Sequence, residues 1–214
     1  MQEAVEIELG LQDPNYEERG KLESRVIFYY LSRYEMDYIK LIYEEGFDKN
    51  ESNKRKLGKL LEEVTITGGD IVSSTFYPDA YVVTIPTDVL YTINERVDLT
   101  ENAIPYLNIL TKPISYDEYS ANKNNPFRHA NVEKCLRLEG VNSHTLLVTS
   151  DTDSLNNVYL NYIKTPLGIN LSQDCELHEG VHHNIVSGAV KLIQAAMQNQ
   201  VGYNIQSKEE QVNK

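Results

Sequence analysis

Between residues 22 and 45 the apolar side chains fall at Ile27, Leu31, Tyr34, Tyr38, Leu41 and Ile42. Steps of three and four residues put them on one stripe of an α-helix. Gly46 follows the last periodic turn, where a helix stop belongs. A second, highly charged helix is predicted over 51–64, with a narrower stripe of Leu57, Leu60, Leu61 and Val64. The short link between the two predicts a helical hairpin.

The pattern changes at Thr65. Gly68 and Gly69 break the helix, and short β-branched and aromatic runs follow. Residues 81–85 (Tyr-Val-Val-Thr-Ile) read as a strand between Pro78 and Pro86. Residues 87–91 read as one helical turn started after that proline. Further strands are predicted over 94–100, 104–114, 134–138, 145–149 and 158–164, around a polar loop at 120–126. Their spacing predicts a small antiparallel sheet or sandwich.

A last helix is predicted over 177–197, with Leu177, Val181, Ile185, Ala189, Leu192 and Ala196 on one face. The expected fold is therefore α+β: an antiparallel helical bundle, two N-terminal helices plus the C-terminal one, with a small antiparallel β-region inserted. The expected organisation is a polar arm at 1–20, a helical hairpin at 21–64, a β-rich region at 65–170, a helix at 171–197 packing on the hairpin, and a flexible tail at 198–214.

Charge narrows the function classes. The formal net charge is −12 and the pI is near 4.9. Such a chain repels phosphate, which argues against generic nucleic-acid binding. It also repels its own copies, so any self-association needs well-packed local contacts. Fifteen tyrosines stand against four phenylalanines and no tryptophan. Tyrosine buries a ring and keeps a polar tip, which suits subunit contacts. Cys135 and Cys175 form no CxxC pair and read as two reduced thiols. The first 20 residues have neither the basic nor the apolar region of a signal peptide. No apolar run approaches the roughly 20 residues that span a bilayer. A protein made in a cytosol, with no membrane partner, is expected.

One motif carries possible chemistry. Residues 178–182, His-Glu-Gly-Val-His, match H-E-x-x-H, which on a helix sets two imidazoles one turn apart with a glutamate as general base. The extended pattern fails, because Ile185 stands where a glycine should be and Gly188 where a third histidine should be. Downstream of the motif the acidic residues are Glu209 and Glu210, in the expected tail. Gly180 costs about 1 kcal/mol inside a helix relative to alanine. The motif at His178, Glu179 and His182 is thus read as a decoy in a solvated first turn, and neither metal nor cofactor is expected. The segment 151–154 lacks the glycine and terminal glutamate of a calcium loop. Gly68-Gly69-Asp70 lacks the lysine of a phosphate cradle, and no GxSxG is present.

Four stretches share an order and spacing. They are the helix from Arg25 to Lys40 with the charged segment ending Lys59-Leu60-Leu61-Glu62-Glu63-Val64; Thr84-Ile85-Pro86-Thr87-Asp88-Val89-Leu90; Lys112-Pro113-Ile114-Ser115-Tyr116-Asp117-Glu118-Tyr119 with Asn125-Pro126-Phe127; and Tyr162-Ile163-Lys164-Thr165-Pro166 followed by Glu176-Leu177-His178-Glu179, His182, Ile185-Val186 and Ala189-Val190. Over residues 20–197 the chain resembles the ring, or head–tail connector, proteins of crAss-like and other short-tailed phages. In that pattern Glu179 and His182 are ordinary members of a helix start. Only His178 departs from it, where proline is usual.

The resemblance implies a non-enzymatic virion protein, assembled in the bacterial host cytoplasm. It implies a dodecameric ring of self-copies, stacked between the portal protein and the tail with other ring proteins, and passing genomic DNA without specific binding. Asn125, Pro126, Phe127, Tyr203 and Ile205 are the expected interface residues. Two other readings compete: a small zinc hydrolase using His178, Glu179 and His182, and a bacterial cytosolic adaptor.

Overall fold

The computed structural model describes residues 1–12, 22–45, 51–77, 80–122, 125, 130–131, 133–140, 143–148 and 152–212, with side chains as far as residue 198 except at 153. In chain order the elements are α1 (Gln2–Gln12), α2 (Ser24–Glu44), α3 (Glu51–Leu57), β1 (Leu61–Thr67), β2 (Ile71–Ser73), β3 (Ala80–Thr84), β4 (Val89–Glu101), β5 (Ile104–Pro113), α4 (Tyr116–Asn122), β6 (Cys135–Gly140), β7 (Ser143–Leu147), β8 (Thr152–Lys164) and α5 (His182–Val212). They divide into a helical unit, Met1–Leu60 with Pro166–Lys214, and a sheet unit, Leu61–Thr165.

In the helical unit α5 packs on α2 and α1. The buried stripe of α2 is Ile27, Leu31, Glu35, Ile39 and Ile42, so a carboxylate holds its central position. Leu41, expected on the stripe, is exposed. The first helix, α1, buries Val5 and Leu9. Gly188 of α5 lies against α2, where a Cβ would overlap the ring of Tyr34. Here a glycine permits close helix approach. The segment before α5 is tied to the other helices. The Ile169 N–H donates to Ser32 Oγ at 2.9 Å, and the His178 N–H donates to the Lys56 carbonyl at 3.0 Å.

The helix expected over 51–64 stops after Leu57. Gly58 adopts φ +53°, the left-handed conformation that ends helices. A short 3-10 turn follows, and Leu61 already begins β1. A Cβ on Gly58 would also sit 3.3 Å from the His178 backbone nitrogen. Gly58→Ala should therefore destabilise the protein by about 1–2 kcal/mol, read as a lower urea midpoint at unchanged m-value.

The sheet unit corrects the expected fold class. The protein is not a helical bundle with a small inserted sheet. Eight strands pair in the order β1-β8-β4-β5-β6-β7-β3-β2, and all neighbours are antiparallel except β5 and β6. The two ends of this order, β1 and β2, are consecutive in sequence, joined by the turn Gly68–Asp70. A flat eight-stranded sheet would separate them by roughly 34 Å, whereas three residues reach about 10 Å. The sheet must therefore curl toward a barrel. Its interior agrees, since Ile66 of β1 and Ile71 of β2 pack on one cluster with Val83, Val97, Leu146 and Val158.

Two local expectations also change. The segment 87–91 gives a turn at 87–88 and then strand from Val89, so β4 and β8 are each thirteen residues long. Both begin earlier than predicted, β4 at Val89 rather than 94 and β8 at Thr152 rather than 158. β4 and β5 join through Asn102 and Ala103, with φ of 50° and 63°, as a two-residue hairpin turn requires. On the outer face, Ala80, Ala130, Leu136, Leu138 and Leu147 form a second cluster, covered in part by Tyr77 and by Tyr119 of α4.

Candidate functional site

The H-E-x-x-H residues are placed at the entrance of α5. Glu179–Val181 is a 3-10 turn and α5 begins at His182, so the two histidines do not share one α-helical face. His178 is the cap of that turn, and its Nδ1 accepts from the Gly180 N–H at 3.0 Å. His182 Nε2 donates to the Leu177 carbonyl at 3.0 Å, five residues back. Each imidazole thus commits one nitrogen to shaping the helix start, and Glu179 is exposed at its positive end. Among the described residues no group of three or more His, Cys, Asp and Glu side chains converges as a metal site. No helix among them is long and apolar enough to cross a membrane.

The expected interface residues are only partly visible. Asn125 is half-buried. Pro126 and Phe127 lie outside the described residues, as does Gly46. Tyr203 and Ile205 fall within α5, beyond the last described side chain.

The sheet interior holds a polar group that the sequence pattern did not reveal. The Glu95 side chain, on β4, is fully buried. It accepts from Thr111 Oγ1 at 3.2 Å and from Arg137 Nη1 at 3.5 Å, and it meets His144 Nδ1 at 3.3 Å. These partners come from β5, β6 and β7, so one buried carboxylate ties four consecutive strands. Among the described residues, Arg137 Nε and His144 Nε2 have no hydrogen-bond partner. The Cys135 thiol lies on the same inner face; burial, and then the charge of Glu95, push its pKa up. The available signal was the alternation Cys135-Leu136-Arg137-Leu138, which places the arginine on the same face as the cysteine.

A second network fixes the outer face of the β4–β5 hairpin. Asp98 Oδ1 accepts from the Asn108 N–H at 2.8 Å, and its Oδ2 accepts from the Tyr159 hydroxyl at 2.7 Å and Asn157 Nδ2 at 3.2 Å. Burial raises the Asp98 pKa, but these hydrogen bonds outweigh it and hold the carboxyl below its ordinary range. Donation to Asp98 pushes the Tyr159 hydroxyl up. Asn108 is itself left-handed at φ 57°, which lets β5 bulge. Leu107, in the bulge, and Leu110, after it, are 66 % and 60 % exposed. Val72, within β2, and Phe76, after it, are 58 % and 88 % exposed. These large apolar side chains stand in solvent in the single subunit.

A model of the family described as phage tail ring protein 3/4 matches residues 26–205, most of the chain and parts of both units. The chain belongs to this family. It is also 24% identical over 187 residues to "Ring protein 4/5" of Bacteroides phage crAss001, covering 77% of this chain and 76% of that relative. As a phage tail ring protein, the chain is a structural virion component. Its buried carboxylates at Glu95 and Glu35 serve the interior of its two units, closed to solvent.

Proposed function

We propose that copies of this chain close into a dodecameric ring within the head–tail connector of a crAss-like phage, between portal and tail, and that the ring lines the duct for the genome. The family match over residues 26–205 carries this reading. The formal charge of −12 supports the duct role, because a wall that repels phosphate lets DNA pass without gripping it. The partners are other copies in the ring, the portal protein and adjoining ring or tail proteins. Assembly takes place in the host cytoplasm. Asn125, Pro126, Phe127, Tyr203 and Ile205 are contact residues in this proposal.

The test is co-expression with the portal protein encoded in the same genome, followed by mass photometry and negative-stain imaging. The expected result is a cyclic particle of uniform mass that co-purifies with the portal and retains no duplex DNA at physiological salt. A chain that stays monomeric with and without the portal would overturn the proposal.

A further inference from the structure

A cyclic ring of more than two copies is built from head-to-tail contacts, so each subunit presents two different, complementary surfaces on opposite flanks. The sheet unit carries two segments with these properties. One is 104–110, Ile-Pro-Tyr-Leu-Asn-Ile-Leu, and the other is 71–77, Ile-Val-Ser-Ser-Thr-Phe-Tyr. Neither contains a charged residue, in a chain where 24% of residues are charged. Both expose large apolar side chains: Ile104, Leu107 and Leu110 on the first, Val72 and Phe76 on the second.

Their positions in the sheet are also right. In the strand order β5 is fourth and β2 is eighth. On a sheet curled toward closure those positions lie about half a circumference apart. The backbone of 104–110 is moreover an edge. β5 pairs with β6 only through Thr111, Lys112 and Pro113, so among the described residues no strand flanks 104–110 on the side away from β4. Exposed edges are ordinarily blunted with charge. Here Pro105 and the bulge at Asn108 interrupt the edge, but its outward side chains are leucines.

We propose that in the ring the 104–110 segment of one copy packs against the 71–77 segment of the next, with Leu107 and Leu110 covered by the neighbouring copy's Val72 and Phe76. This rests on the ring reading above and specifies its contact. The ring reading supplies a second copy as the occupant, and the uncharged character of both segments fits it. Two chains of −12 repel wherever acidic surface meets acidic surface, and these two segments bring them together without opposing like charges. Burying four large apolar side chains per contact then supplies the attraction.

The experiment compares the full-length wild type with Leu107→Asp/Leu110→Asp and with Phe76→Asp. Ring assembly should be lost in both variants, with circular dichroism and thermal midpoint unchanged, because the substituted side chains are already in solvent in the single subunit. A cysteine pair gives a second readout that does not depend on the aspartate variants folding. Leu107→Cys/Phe76→Cys, oxidised in the assembled state, should give a ladder of covalent multimers, whereas either single variant should give none. An intact ring in the aspartate variants, or a ring of the double-cysteine variant without a ladder, overturns the proposal. So does a ring that persists but loses another tail protein, since that assigns the surface to a different partner. A wild type that forms no ring sinks the ring reading itself, and this contact with it.

Discussion

Arg137→Met is expected to lower the stability of the protein by about 3–5 kcal/mol. Arg137 is the strongest positive partner of Glu95, and the carboxylate has no access to water. With the guanidinium gone, Thr111 and His144 remain, and neither supplies a permanent positive charge. The penalty is the cost of an uncompensated buried carboxylate, not the worth of one long ion pair at 3.5 Å. The double variant Glu95→Gln/Arg137→Met should therefore recover much of the loss. Urea denaturation of the four members of this cycle checks the claim. Similar midpoints for Arg137→Met and the double variant would show that Glu95 tolerates isolation, and would refute it. The effect should appear in assembly as well, because Glu95 joins β4 to β5, β6 and β7, and the 104–110 segment of β5 hangs on that framework.

Glu35→Met is expected to act in the opposite direction, raising stability by about 1–3 kcal/mol at neutral pH. Glu35 occupies the centre of the buried stripe of α2. Cys175 Sγ donates to its Oε1 at 3.1 Å, and among the described residues its Oε2 has no hydrogen-bond partner. Burial raises its pKa above the ordinary 4.5, hydrogen bonds from Cys175 and the Glu176 backbone oppose the shift, and the charge of Glu176 adds to it. The same burial, with Glu35 as hydrogen-bond acceptor, pushes the Cys175 thiol up to about 12. The folded state thus holds the Glu35 proton more tightly than the unfolded state. Stability from this residue is fully present below pH 4.5 and is lost as pH rises through the raised folded value. The advantage of Glu35→Met should accordingly be largest at neutral pH and shrink on acidification. Chemical denaturation of both proteins from pH 4 to pH 8 measures it, and a constant gap across that range would contradict the assignment. Methionine suits the site because its flexible thioether fills irregular space between packed helices.

The helices were legible where periodicity and burial agree. Ile27, Leu31 and Ile42 of α2, and Ile185 and Ala189 of α5, were expected on buried faces and are buried. The misreading at 51–64 came from one residue. Leu57, Leu60, Leu61 and Val64 fit a helical period, but Gly58 ends the helix by turning left-handed, and 61–67 pairs with β8 instead. Short apolar runs carry both periods at once, and only the partner strand decides between them. The family was legible because motifs spread over both units keep their order even when each is degenerate.

By itself the sequence determined the family, the acidic surface, the long closing helix and the existence of a β-rich middle. These depend on composition, local period and motif order, which a chain carries before it folds. Only the tertiary structure decided that β1 and β2 lie at opposite ends of the strand order and that the sheet must curl to bring them together. It also decided that Glu95, Thr111, Arg137 and His144 meet, and that Glu35 sits in a core. Each of these is a contact between residues distant in sequence, set by strand pairing and helix packing. No local pattern encodes which strand a strand will choose, because that choice is made by burial of the whole set at once.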